Sequence, residues 1–200
     1  HPEPFGLKLV EIGNENGMFG SFGGSREAYA ARYRLIAAAI EARHPEIELI
    51  ANVPLGLGED GVDEHYYNGP EWFWQNADRY DAVPRGGPRI YVGEYAVTSG
   101  AGTGNLAAAL GEAAFLVGVE RNADLVQRTS YAPLFVHADD RRWNPDAIVF
   151  DARASYGTPS FHMQALFAEH RPSVGLAVDV PEFEAISETT GTIGLGTWNT

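Results

Sequence analysis

Apolar positions in this chain recur with two periods, and the two periods take turns. Residues 7–12 (LKLVEI) read as a short strand, followed by a Gly/Ser loop over residues 20–25. Residues 26–43 then place Tyr29, Tyr33, Ile36 and Ile40 at helical spacing, with Ser25 as N-cap and Pro45 beyond the end. Residues 47–53 (IELIANV) and 62–67 (VDEHYY) are strand-like, and a helical segment over 70–80 opens on Pro70, a residue suited to a first turn. A strand over 89–97 (RIYVGEYAV) precedes an Ala/Leu-rich helix over 105–122. A last pair follows: a strand within 125–135 that ends in Tyr131-Ala132-Pro133-Leu134-Phe135, and a capped helix over 158–170.

Strands alternating with helices in units of about 30 residues predict an α/β fold, a parallel sheet covered by helices. Five strands can be counted. A doubly wound nucleotide-binding sheet would carry a Gly-rich phosphate loop directly after a strand, but the chain has no G-x-G-x-x-G there and no Walker-type lysine. The nearest approach, GAGTG over 100–104, lies several residues past its strand and is a weak phosphate loop. A (β/α)₈ barrel keeps its chemistry at the C-terminal ends of its strands. Here polar residues repeatedly collect at such ends.

Composition narrows the function. The chain is 44% hydrophobic and 12% aromatic, enough for a substantial core and against disorder. Asp plus Glu total 27 against 14 for Lys plus Arg, a net charge of −13, so its field repels nucleic acid and leaves a neutral ligand indifferent. With no cysteine there is neither disulfide nor thiolate zinc site, and the compartment, secreted or cytoplasmic, stays open. No apolar run approaches the roughly 20 residues that span a bilayer, so no membrane partner is expected. The chain begins at His1 just before a buried-type strand and stops at Thr200 after a Gly-rich alternating stretch, and it reads as cut at both ends.

The strand ends hold the candidate chemistry: Asn14-Glu15 on the first, His65-Tyr66-Tyr67 on the third, Glu94-Tyr95 on the fourth. After the fifth comes a loop with His137, Asp139, Asp140, Trp143 and Asn144. Glu15 and Glu94 lie on different strands, near Gly13 and Gly93, and two such carboxylates are what a retaining glycosidase needs. One must be protonated to serve a leaving oxygen and the other ionised to attack an anomeric carbon. Each has a plainer reading. A single Glu at a strand end is most often a solvated or capping residue, His65 could be a buried histidine satisfied by a carbonyl, and Trp72, Phe73 and Trp74 suit helix packing. The six histidines show no paired metal-ligand spacing, so no metal is expected.

Taken together, Gly13-Asn14-Glu15-Asn16, Asp63-Glu64-His65-Tyr66-Tyr67-Asn68, Tyr91-Val92-Gly93-Glu94-Tyr95-Ala96 and Trp143-Asn144-Pro145-Asp146 resemble the family 51 glycoside hydrolases, the α-L-arabinofuranosidases of the retaining (β/α)₈-barrel clan. The resemblance implies that the five strands are strands four to eight of a TIM barrel, filling residues 1–172, and that residues 173–200 begin a C-terminal β-sandwich with strands over 174–180 and 193–198. It implies Glu15 as general acid/base, Glu94 as nucleophile, Asn14 on the sugar 2-hydroxyl, Tyr67 on the nucleophile, and His65 and Trp143 lining the pocket. The implied activity is release of terminal α-L-arabinofuranosyl units from arabinoxylan, arabinan or their oligosaccharides, without a cofactor. Without the first three strands the 200 residues alone are expected to be inactive. Two rivals stay open, another retaining barrel glycosidase (β-xylosidase or endoglucanase) and a non-catalytic carbohydrate-binding protein. Members of the family are commonly oligomers, so a homo-oligomer of the full-length protein is compatible with the resemblance.

Overall fold

The computed structural model describes residues 3, 5–16 and 24–174. The expected β-sandwich strands lie outside these residues, Val174 excepted, as does most of the Gly/Ser loop before the first helix. Five strands, β1 (Leu9–Ile12), β2 (Glu48–Ala51), β3 (Gly61–Asn68), β4 (Arg89–Val97) and β5 (Val126–Tyr131), pair in parallel in the order β1-β2-β3-β4-β5. Each strand lies beside its neighbours in sequence, and the order never reverses. A doubly wound sheet reverses once; an arc of a (β/α)₈ barrel does not.

Helices α1 (Arg26–Glu41), α2 (Pro70–Gln75), α3 (Leu106–Arg121) and α4 (Pro159–Glu169) complete the alternation. Between β2 and β3 there is a loop instead of a helix. Glu59 closes it by accepting the backbone N–H groups of Leu55, Gly56 and Leu57 at 2.7, 2.9 and 2.8 Å. Desolvation raises the pKa of this carboxyl, but the three donors outweigh it and hold it below the usual range.

Helix α1 starts at Ser25, whose hydroxyl accepts from the N–H of Ala28 at 3.2 Å. Its buried face is Tyr29, Tyr33 and Ala37, packed on Ile12, Leu49 and Ala51; Ile36, expected on that face, is 43% exposed. The contact follows the i, i+4, i+8 row, so the small Ala37 meets the sheet where Ile36 does not. Tyr29 also ties the strand ends together: its hydroxyl donates to the carbonyl of Ile12 at 2.8 Å and accepts from the N–H of Asn52 at 3.0 Å.

The larger core lies between β3, β4, β5 and the helices α2, α3 and α4, around Phe73, Val92, Tyr95 and Phe115. Helix α2 is shorter than the 70–80 expected, because beyond it the chain passes into turns closed by i→i−3 bonds, Ala77 N–H to the Trp74 carbonyl at 3.2 Å and Arg79 N–H to that of Asn76 at 3.1 Å. Helix α4 begins with Pro159 at its first position, but Thr158 does not cap it; its hydroxyl donates to the carbonyl of Ala147 at 3.1 Å. The structure also holds a second sheet, which the hydrophobic pattern does not predict. It comprises β6 (Phe135–His137), β7 (Ile148–Phe150) and β8 (Ser155–Gly157), β6 parallel and β8 antiparallel to β7.

The approach of α3 to the turns after α2 depends on a missing side chain, since a Cβ on Gly118 would lie 1.7 Å from the carbonyl oxygen of Ala77. Gly118→Ala is therefore expected to lower stability by about 1–3 kcal/mol despite its better helix propensity. Gly87→Ala, with nothing within 4 Å, should stay within about 0.5 kcal/mol of the parent. Urea unfolding midpoints compare the two directly, and equal midpoints would refute this packing of α3.

Candidate active site

Strand β3 alternates regularly, so Asp63, His65 and Tyr67 share the face turned away from the helices, whereas Tyr66 joins the helix-side core. Strand β4 does not alternate regularly. Its pairing shifts against both neighbours, between Asp63 and His65 on one side and between Val92 and Tyr95 on the other. Val92 and Tyr95 are both fully buried among the helices, leaving Gly93 and Glu94 as consecutive residues on the open face. Strict alternation would have sent Glu94 into the helix layer. The bulge re-aims it at His65, its register partner.

Glu15 reaches the same place by a turn. Beyond Ile12 the chain turns at Gly13 (φ 96°), where a Cβ would meet Asn16 Oδ1 at 2.3 Å and Asn52 Nδ2 at 3.0 Å, so only glycine fits. The N–H of Asn14 donates to Asn16 Oδ1 at 3.2 Å, and Asn14 itself is exposed. Glu15 has φ 53°, a left-handed conformation that costs a residue with a side chain about 1–2 kcal/mol. Non-glycine residues in this region gather where a side chain must be aimed.

The two carboxylates meet at His65. Nδ1 of its ring lies 3.0 Å from Glu15 Oε1 and 3.5 Å from Glu94 Oε2, and Nε2 lies 2.6 Å from Asp63 Oδ2. One carboxylate oxygen from each of Glu15 and Glu94 and a ring nitrogen of His65 all lie within 4.8 Å of one another. Tyr67 donates its hydroxyl to Glu94 Oε2. Desolvation, followed by that contact with Glu94, pushes the phenol well above its ordinary range. Burial alone would pull the pKa of His65 down, but its contacts with Asp63 and Glu15 and the charges of Asp63 and Glu94 push it up to about 9. At neutral pH the ring is a cation among carboxylates. Glu11, on the edge strand β1, is exposed, yet desolvation and the neighbouring Asp63 carboxyl push its pKa up as well.

Of the residues singled out from the sequence, the structure brings Glu15, His65, Tyr67 and Glu94 together, with Asn14 adjacent in the chain. Trp143 joins them, its ring edge-on to Tyr67 at a centroid distance of 5.6 Å and 47% exposed. The rest of that last loop pairs within itself. His137 stands edge-on to Phe150 and accepts from the N–H of Asp139, Asp140 pairs with Arg142, and Arg141 donates to Asn144 and to buried Asp146. Asp63 was not assigned a role from the sequence. Only its place two residues before His65, on the same strand face, could have pointed to it. Glu15, His65 and Glu94 also offer three ligand atoms to a metal ion. The carboxylates around His65 raise its pKa to about 9, so an ion bound at Nδ1 would have to displace a proton at neutral pH.

Residues 1–85 match the family described as Alpha-L-arabinofuranosidase 1 domain, and residues 93–193 match that described as Alpha-L-arabinofuranosidase C-terminal domain. The extracellular exo-alpha-L-arabinofuranosidase of Streptomyces chartreusis is 38% identical across the whole chain, and alpha-L-arabinofuranosidase 2 of Arabidopsis thaliana 46% identical across 84% of it. The chain spans 25% of the length of each of these relatives. Among solved structures, the arabinose-bound MgGH51 α-L-arabinofuranosidase superposes with a TM-score of 0.73 at 37% identity, covering 84% of this chain and 29% of that one.

The charge of His65 sets an expected dependence of stability on pH. Its folded pKa, about 9, stands above the ordinary 6.5, so the stability it contributes is full below pH 6.5 and is lost as pH rises through about 9. In urea unfolding, the advantage of the parent over His65→Gln should shrink by on the order of 3 kcal/mol between pH 6 and pH 10. An advantage that holds constant across that range would contradict a charged His65.

Proposed function

Because the chain belongs to the family 51 α-L-arabinofuranosidases, we propose that the full-length protein carrying it hydrolyses terminal α-L-arabinofuranosyl linkages in arabinose-containing oligo- and polysaccharides with retention of configuration. The observation that carries this reading is the proximity of the two carboxylates. Oxygens of Glu15 and Glu94 within 4.8 Å suit a retaining pair, whose carboxyls stand about 5–5.5 Å apart, better than an inverting pair at about 6.5–9.5 Å.

In this mechanism Glu94, oriented by the Tyr67 hydroxyl, attacks C1 of the sugar while Glu15 gives its proton to the departing oxygen. Glu15, now a carboxylate, takes a proton from the incoming water, and the water oxygen breaks the bond between C1 and Glu94. The His65 cation beside both oxygens offsets the negative charge that gathers there in either step. Asn14 contacts the 2-hydroxyl and Trp143 walls the pocket. The reaction asks for no cofactor. This reading assigns the five-stranded arc of residues 9–131 to the C-terminal part of a (β/α)₈ barrel.

In an enzyme of full family length, Glu94→Ala should abolish turnover of every arabinofuranoside. Glu15→Ala should cost about 10²–10⁴-fold on natural linkages but spare the first step on nitrophenyl arabinofuranoside, whose leaving group needs little protonation, with added azide restoring the second. Equal losses on good and poor leaving groups would contradict the assignment of Glu15. Release of xylose in preference to arabinose from paired nitrophenyl glycosides would point to a β-xylosidase. Binding of arabino-oligosaccharides without any turnover would point to a carbohydrate-binding protein. The 200 residues by themselves are expected to show no hydrolysis, because a closed barrel needs eight strands around the site.

A further inference from the structure

Beneath the two carboxylates lies a third acid that the double displacement does not use. The Asp63 side chain is 2% exposed and the His65 side chain 1%. One oxygen of Asp63, Oδ1, accepts the N–H of Gly93 at 2.8 Å. The other, Oδ2, stands 2.6 Å from His65 Nε2 as an ion pair, with no hydrogen-bond donor aligned on it. Gly93 is the residue immediately before Glu94, and a Cβ there would lie 2.2 Å from Asp63 Oδ1. The absence of a side chain at position 93 and the carboxylate at position 63 are thus two halves of one contact across β3 and β4.

Resting on the hydrolase reading above, we propose that Asp63 is a positioning residue of this site. It holds the His65 ring so that Nδ1 faces both Glu15 and Glu94, and it pins that ring to the backbone bulge that aims Glu94. The chemistry is that of a carboxylate behind an imidazole: the group on one ring nitrogen fixes which proton the other presents. A neutral group at position 63 would leave Nε2 free to lose its proton, and the ring would then lose the positive charge it holds against both carboxylates and the carboxylate that fixes its orientation. The ionisable groups around His65 are Glu11 and Glu15 from β1 and its turn, Asp63 and Tyr67 from β3, and Glu94 from β4. Of these, Asp63 is the carboxylate on Nε2; Glu15 and Glu94 share Nδ1.

The test reads His65 directly and then reads catalysis, both in an enzyme of full family length. With ¹⁵N-labelled histidine, the parent should show both ring nitrogens of His65 protonated at pH 7.5, with titration near pH 9. Asp63→Asn should lower that midpoint by at least about one pH unit. Gly93→Ala, which displaces the carboxylate without removing it, should lower it too, and serves if the first variant does not fold. On nitrophenyl arabinofuranoside Asp63→Asn should reduce kcat/KM by about 10–100-fold, mostly in kcat, yet cost less than about 3-fold when added to His65→Gln, because residues acting through one another do not add. A parent His65 that titrates near 6.5, a midpoint unmoved by either variant, or additive losses would overturn the proposal and leave the hydrolase reading standing. A parent that turns over no arabinofuranoside while His65 titrates as expected would overturn the hydrolase reading and retain the hold of Asp63 on the ring.

Discussion

The site depends on a single positive charge. Glu11, Glu15, Asp63 and Glu94 converge on one open face of the sheet, and His65 sits at their centre with a carboxylate on each ring nitrogen. Like charges this close in a poorly solvated place repel strongly, and one imidazolium lowers that cost for several of them at once. The arrangement works only if β3 and β4 are registered so that His65 stands opposite Glu94, which the bulge at Gly93-Glu94 provides. Register, bulge and charge are therefore one requirement expressed at three levels.

The broad architecture was legible in the sequence because its signals are local. The apolar and aromatic run over residues 89–97, the helical spacing over 26–43 and the Ala/Leu-rich stretch over 105–122 are each read within one element, and a cap such as Ser25 marks where a helix starts. The strand-end residues Glu15, His65 and Glu94 stood out for the same reason, as charged groups where the apolar pattern stops. What was not legible is relational. Nothing in Tyr91-Val92-Gly93-Glu94-Tyr95 announces that two successive residues face one side; the extra residue is visible only against the two flanking strands. Nor does the glycine before Glu94 announce its neighbour, Asp63, thirty residues earlier. The sheet of β6, β7 and β8 escaped because three-residue strands carry less than two periods of alternation.

The helix faces make the same point on a smaller scale. Ile36 is the better apolar residue, yet Ala37 is the one buried, since the row Tyr29, Tyr33, Ala37 buries the two tyrosines against the sheet. Hydrophobicity names candidates for the core, and the geometry of the docking chooses among them. In α3 the choice is carried by Gly111 and Gly118, which let the helix backbone approach Pro70 and Ala77 more closely than any side chain would permit.

The functional groups are held with unequal rigidity, and the inequality follows their proposed roles. Asp63, His65, Tyr67 and Glu94 all project from β3 and β4, the most extensively paired strands of the sheet, each with a neighbour on both sides. Glu15 comes instead from a turn after β1, an edge strand among the described residues, and is steadied by the Tyr29 hydroxyl that joins the carbonyl of Ile12 to the N–H of Asn52. A nucleophile must meet C1 along one line of approach, so a place on a doubly paired strand suits Glu94. A group that gives a proton to a departing oxygen and then takes one from an arriving water must address two positions in turn, and a carboxylate on a turn, linked to the rigid pair through the ring of His65, can do so without leaving the cluster.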